Sequence, residues 1–485
     1  MREGLLYSRF ELKKHFDFNS EEDFNSFLRQ LKKYRILKTK RFKKADEDEA
    51  LIDDEDEDYI DNMSSSDDIK YLFRFVGIVC CFNRIIKIFP KYIDSTTEPK
   101  NEMNQVLRVL LKYKKKWERD FFSYADEGGN EKANILSLML FLLEDYSEYG
   151  LYQNEEKLLE INGEGRIEWQ HTVDDTIPII NDNKPYYVEL VTERMINNES
   201  DFIYRLHAAV LTECSRQFEK TELTSIFGLP TVDLSDEILE DFGDKTYIKS
   251  RLENELSIQY DDHKQLVIKA LLKFIDNDGL MLKGNADLTF FGTRTFHTVW
   301  EEVCAQVFAS QRNKKLNELV NSPSIDYSFV NPATGDTELI ELIRKPEWHV
   351  NSTIVASKDT FVPDYLGFDL DTGRYIYYIL DAKYYCPDWT GTVAKKSPGV
   401  EDIAKQYLYY MAYQSFLSHH GVTEVKNYFL MPKEDGSIED VGFVKLEMLH
   451  GIFPNDIGIR KLPAKRLYDC YLKNPIETIR LNELL

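Results

Sequence analysis

Residues 360–385 read as a β-hairpin with an acidic end, and this hairpin narrows the possible folds more than any other stretch. One arm runs Thr360-Phe-Val-Pro363-Asp364-Tyr-Leu-Gly-Phe-Asp-Leu370. After Asp371-Thr372-Gly373, the other runs Arg374-Tyr-Ile-Tyr-Tyr-Ile-Leu-Asp381-Ala382-Lys383-Tyr-Tyr385. Aromatic and β-branched residues fill both arms, and Asp-Thr-Gly supplies the turn. Residues 375–380 are apolar on both faces, the pattern of a strand in the middle of a sheet covered on both sides. The fold class expected is α/β in this region and α+β overall.

Side chains alternate along a strand, which puts Asp381 and Lys383 on one face. A turn centred on Thr372 pairs residues whose numbers sum to about 744, within one or two. Asp364 then lies opposite residue 380, beside Asp381. Asp364 alone is open to reading as a turn residue after proline. Asp381 is harder to set aside, because an unpaired charge ending a buried strand costs several kcal/mol. Two carboxylates and an ammonium converging on one patch suit Mg²⁺, a hard ion that takes few carboxylates and keeps its waters.

Three further segments follow the same logic. Val299-Trp300-Glu301-Glu302-Val303-Cys304 opens an apolar-periodic helix. Adjacent helical residues turn about 100° apart, so only one of the two glutamates faces the sheet. Glu301 shares its face with Cys304, Ala305 and Phe308, whereas Glu302 shares one with Gln306 and Ala309. Downstream come the helix Asp402-Ile-Ala-Lys405-Gln406-Tyr-Leu-Tyr409-Tyr410-Met and the strand Lys426-Asn-Tyr-Phe-Leu-Met-Pro432. In this order the four segments resemble the PD-(D/E)XK nuclease core over residues 295–435. The resemblance implies a mixed sheet flanked by helices and an acid on the first helix, with Glu301 following Trp300 as the better match. It also implies a Gln-x-x-x-Tyr helix of the RecB-like and McrC-like kind, carrying Gln406 and Tyr410.

Composition bounds the rest. A chain of 485 residues exceeds what one hydrophobic core normally supports. Its six cysteines, 80, 81, 214, 304, 386 and 470, show no metal-ligand spacing and read as reduced thiols. No signal peptide is read at the start, and the longest apolar run, Ile135 to Leu143, is too short for a bilayer. A cytoplasmic protein without membrane contact is therefore expected. No Gly-rich phosphate loop is present, so this chain alone is expected to bind no nucleotide. Net charge is −23, opposite in sign to the basic field of a free-standing DNA binder. Either a local basic groove exists near Lys395-Lys396 and Arg344-Lys345, or a partner supplies DNA affinity; the second is favoured.

Four regions are expected. Residues 1–44 form a small helical or winged-helix-like module, opened at its second helix by Ser20-x-x-Asp23. Residues 45–69 form a disordered linker around Asp53-Asp-Glu-Asp-Glu-Asp58. Residues 70–285 form an α+β domain with a hairpin across Asn83-Arg84 and a long helical stretch over about 246–275. Residues 286–485 carry the nuclease pattern. The 70–285 stretch has its own resemblance. Its Phe-Val-Gly-Ile hairpin ending in Pro90-Lys91-Tyr92 and its Gly163–Val173 segment with Arg166, Trp169 and Thr172, together with Trp300-Glu301 and Lys345-Pro346-Glu347-Trp348 further on, are similar over most of residues 70–470 to the LlaJI family, McrC-like nuclease subunits of restriction systems.

That resemblance implies a phage-defence endonuclease subunit cleaving double-stranded DNA when activated by an McrB-like AAA+ GTPase hexamer that docks on residues 70–285. Asp364, Asp381, the Ala382 carbonyl and Glu301 would hold one or two Mg²⁺, for which Mn²⁺ can substitute. Lys383 would orient or deprotonate the attacking water, Gln406 and Tyr410 would position Lys383 or the DNA backbone, and the cut would leave a 5′-phosphate. The alternatives are a non-catalytic scaffold that stimulates the GTPase and a self-sufficient sequence-specific endonuclease.

Overall fold

The computed structural model describes residues 1–41, 69–82, 84–94, 100–116, 135–197, 201–220, 223–277, 288–329, 335–351, 353–390, 392, 394–449 and 456–484. Helices and several sheets alternate along the chain, a mixed α and β architecture. Two compact units emerge: Met1–Gly129 with Gly292–Leu485, and Asn130–Phe291. Among the described residues, no helix is long and apolar enough to cross a membrane.

The first unit begins with two capped helices. Ser8 accepts from the Glu11 N–H while the Glu11 carboxylate accepts from the Ser8 N–H, which starts the helix Arg9–His15. Ser20 caps Glu21–Lys33 by accepting from the Asp23 N–H, and that helix buries Phe24, Phe27, Leu28 and Leu31 along one stripe. Strands Leu6–Ser8 and Leu37–Arg41 flank Ile69–Phe73 in an antiparallel sheet. The acidic run, within residues 42–68, lies outside the described residues, but the chain on both sides of it enters the same small sheet. Val76–Cys81 then pairs with Arg84–Ile88 in the expected hairpin.

The second unit holds the helices Ile135–Tyr149, Phe202–Lys220, Lys245–Ile258 and Asp262–Asp276 beside a small antiparallel sheet. The helical stretch expected over 246–275 is two helices. Gln259 leaves helical geometry, and the Asp261 side chain accepts from the Lys264 N–H at 3.0 Å to start a new helix.

The C-terminal part of the first unit is built on one mixed sheet. Its elements are α1 (Phe296–Val307), β1 (Tyr365–Asp371), β2 (Arg374–Ala382), α2 (Val400–His419), β3 (Glu424–Lys433), β4 (Glu439–Val444), β5 (Ile457–Pro463) and α3 (Ala464–Leu472). Strand order is β1-β2-β3-β5-β4, with β2, β3 and β5 parallel and the two edge strands antiparallel. Thr372 and Gly373 both take left-handed φ values, 46° and 81°, which lets a two-residue turn follow the strand twist. Helix α2 carries the chain from β2 to its parallel neighbour β3. Its Tyr407, Tyr410, Tyr413 and Leu417 bury against Leu366, Phe368, Tyr377, Ile379 and Phe429, a core of apolar side chains on one sheet face.

Candidate active site

The hairpin register decides where the charges meet. Tyr365 pairs with Leu380, so the residue numbers sum to 745 and Asp364, just before β1, falls opposite Asp381. Two contacts fix Asp364 there. Its Oδ2 accepts the Ala382 N–H at 2.8 Å, and Arg312 donates to the carbonyls of Pro363 and Asp364 at 3.0 and 3.3 Å. Asp381 is 4% exposed, and its Oδ2 lies 2.8 Å from the Lys383 ammonium. One residue beyond β2, the Lys383 N–H donates to the Leu430 carbonyl at 2.9 Å, holding this lysine against β3.

Glu301 enters from α1. That helix buries Val299, Trp300, Val303, Cys304 and Val307, and the Trp300 indole donates to the Leu430 carbonyl at 3.1 Å, anchoring the helix to β3. Helical phase then separates the two glutamates. The field of Asp381 falls on Glu301, whereas the charge of Glu302 falls on Tyr471 of α3.

The electrostatics are those of crowded acids. Burial, followed by the charges of Asp381 and Glu301, raises the Asp364 carboxyl well above its ordinary range. Burial and then Asp381 push Glu301 up to about 7, against the pull of Lys383 and Arg312. Lys383 behaves oppositely. Burial lowers it, but Asp381 and Asp402 outweigh burial and hold the ammonium charged.

Asp402 was not among the residues singled out from the sequence. It lies in the first turn of α2, with its Oδ1 3.1 Å from the Lys383 ammonium. The available signal was its position four residues before Gln406, on one helical face. Gln406 itself is fully buried; its side-chain amide has no hydrogen-bond partner, and its backbone carbonyl accepts from Asn427 at 3.2 Å. Tyr410 packs in the aromatic core of α2. Its neighbour Tyr409 is the tyrosine in the field of the carboxylates: burial, then Asp381 and Asp364, raise its hydroxyl, which donates to the Val362 carbonyl at 3.4 Å. The structure thus brings Asp364, Asp381, Lys383 and Glu301 together with Asp402, and places Gln406 and Tyr410 in the layer behind.

Among the described residues, no three His, Cys, Asp or Glu side chains close tightly enough to cage an ion alone. Adjacent Asp364 and Asp381, with Glu301 nearby and the Ala382 carbonyl between Asp381 and Lys383 in sequence, form an oxygen-only donor set short of positive charge. Such a set fits a hard divalent cation that retains water ligands.

The sequence profile described as LlaJI restriction endonuclease matches residues 75–464, a span that includes the whole acidic cluster. The chain belongs to the LlaJI restriction endonuclease family. A relative of this LlaJI-family chain is component YdjA of the type II restriction enzyme BsuMI from Bacillus subtilis (strain 168). It is 29% identical over 419 residues, covering 83% of this chain and 81% of that protein. A chain of the Thermococcus gammatolerans assembly of McrB AAA+ hexamers with bound McrC aligns over 98% of this chain and 99% of its own length. Identity there is 12% and the TM-score is 0.36. The McrBC complex of the same organism aligns over 63% of this chain and 87% of its own, with 12% identity and a TM-score of 0.25. Membership of the LlaJI family makes the chain a nuclease component of a restriction system.

Proposed function

We propose that the C-terminal sheet is a PD-(D/E)XK nuclease centre and that this LlaJI-family chain is the Mg²⁺-dependent endodeoxyribonuclease subunit of a two-component restriction system. One observation carries the reading: Asp364 falls opposite Asp381 across a hairpin, with the Lys383 ammonium 2.8 Å from the Asp381 carboxylate.

The ion would be held by Asp364, Asp381, the Ala382 carbonyl and Glu301. When bound, Mg²⁺ supplies Lewis acidity for the attacking water and offsets charge growing on the phosphoryl oxygens. The chain's own groups do the rest. Lys383 stays protonated because two carboxylates hold it. It acts as a fixed cation that orients water and neutralises the transition state, and proton removal by Lys383 is disfavoured. Glu301, with its carboxyl at about 7 in the metal-free chain, is the group that gives up a proton when the ion is bound. Asp402 aims the ammonium, a task the resemblance offers to Gln406 and Tyr410 as an alternative to positioning the DNA backbone. Attack in line with the 3′ oxygen leaves a 5′-phosphate.

A net charge of −23 supports dependence on a partner. An McrB-like AAA+ GTPase is the partner proposed, docking on residues 70–285 and loading duplex DNA in a GTP-dependent step. The test is plasmid cleavage by the reconstituted pair. Cutting should require GTP, Mg²⁺ and both chains, and should vanish in Asp364→Ala and Lys383→Ala. Cutting by the isolated chain without nucleotide would instead identify a self-sufficient endonuclease.

A further inference from the structure

An acidic chain that must hold a polyanion near three carboxylates needs local positive charge. Directly after Lys383 the chain turns through Tyr384, Tyr385 and Cys386 into a small loop, closed where Asp388 and Lys395 exchange backbone hydrogen bonds of 2.9 and 3.0 Å. Cations converge on this loop from three parts of the same unit. The Lys91 ammonium lies 4.2 Å from the ring centre of Tyr384 and 5.4 Å from that of Tyr385. Lys461, from β5, lies 5.3 Å from the ring centre of Trp389. Lys396 follows Lys395 on the exposed side of the loop.

Their charges overlap. Burial pushes the Cys386 thiol up, while Lys91, Lys396 and Lys461 pull it down, so all three act at one point. His297, one turn before Glu301, is lowered by burial and then by Lys91 and Lys383, which links this cluster to the active-site lysine. Three carboxylates oppose the cluster, one of them Glu439, which faces Lys461 across the neighbouring strand and pairs with Lys433 at 3.1 Å. Asp388 accepts from the Thr390 N–H and hydroxyl, and Glu3 accepts from the Tyr384 hydroxyl. Five lysines, 91, 395, 396, 433 and 461, therefore face three acids, leaving a local excess of positive charge on a chain of net charge −23.

We propose that Lys91, Lys396 and Lys461, with Trp389 among them, form a phosphate-contact surface that holds the backbone of duplex DNA beside the scissile phosphate. The proposal rests on the nuclease reading and extends it, by giving the chain a DNA affinity of its own at low ionic strength. Trp389, 36% exposed, offers an apolar flank to the sugars between phosphates.

The test is fluorescence anisotropy of a short labelled duplex against the full-length chain in metal-free buffer over a salt series. Each phosphate contact contributes about 0.9 to the slope of log affinity against log salt. Lys396→Gln with Lys461→Gln should therefore reduce the slope by about 1.8 and weaken binding about 60-fold at 0.1 M salt. Lys396→Arg with Lys461→Arg should keep wild-type binding, as should Lys157→Gln with Lys249→Gln in the second unit, whose exposed ammoniums pair with Glu193 and Asp276. Should Lys461→Gln fail to fold, Lys396→Gln alone, on its exposed loop, should still remove about 0.9 from the slope. An unchanged slope, or no binding by the wild-type chain at low salt, overturns the proposal. Cleavage by the partnered Asp381→Ala chain tells the two readings apart: if it is absent while the slope is unchanged, the nuclease reading stands and the phosphate surface falls.

Discussion

Glu301 offers the sharpest quantitative test, because its carboxyl sits at about 7 where an ordinary glutamate sits near 4.5. If it helps hold the ion, binding must release its proton wherever that proton is present. With a pKa of about 7, the ionised fraction rises roughly 50-fold between pH 5 and pH 7. Mg²⁺ affinity of the wild-type chain should therefore climb about 50-fold more over that interval than the affinity of Glu301→Gln. Asp364, also raised, adds its own pH dependence to both proteins, and because part of its rise comes from the Glu301 charge, Glu301→Gln flattens the pH dependence further. Isothermal titration with Mg²⁺ in buffers of different ionisation enthalpy reads both the affinity and the protons released. The stability of the metal-free chain should run the other way. Folding raises this carboxyl, so the folded state binds the extra proton, and stability declines as pH rises from about 4.5 through 7. Partial solvation of Glu301 keeps that decline to about 1–2 kcal/mol. Equal pH slopes for Glu301→Gln and wild type would refute the reasoning.

Other outcomes follow from neighbouring contacts. Asp402→Asn should leave Lys383 paired only with Asp381 and lower cleavage about 10- to 100-fold in single-turnover assays, with Asp402→Glu restoring part of it. Glu302→Gln should cleave within a few-fold of wild type while Glu301→Gln loses more than tenfold, and the reverse order would move the acid to the other face. Trp300→Phe should lower unfolding free energy by about 0.5–1.5 kcal/mol in urea titrations, since the Leu430 carbonyl loses the indole donor and keeps that of Lys383.

Much of this arrangement is local and therefore readable in the chain. Strand alternation places Asp381 and Lys383 together, helical phase separates Glu301 from Glu302, and Asp-Thr-Gly sets the hairpin to within one residue of its observed register. That single residue still matters, because it moves Asp364 from opposite Leu380 to opposite Asp381. What could not be read depends on contacts between distant elements. Asp402 meets Lys383 only because α2 crosses back over the sheet, and Tyr409 rather than Tyr410 meets the carboxylates because of how that helix is rotated. The pairing of Leu37–Arg41 with Ile69–Phe73 is equally invisible in sequence, since the run between them carries charge and no strand pattern. The break at Asp261 was legible as a cap but was hidden by continuous helical periodicity on either side.

The central claim is that the Asp364–Asp381–Lys383 cluster cuts DNA. Its most direct test is restriction of unmodified plasmid DNA by cells carrying the complete native system with Asp381→Ala in this chain. Transformation efficiency should rise to that of cells lacking the system, with the variant chain present at wild-type abundance. Restriction at the wild-type level with Asp381→Ala would contradict the account.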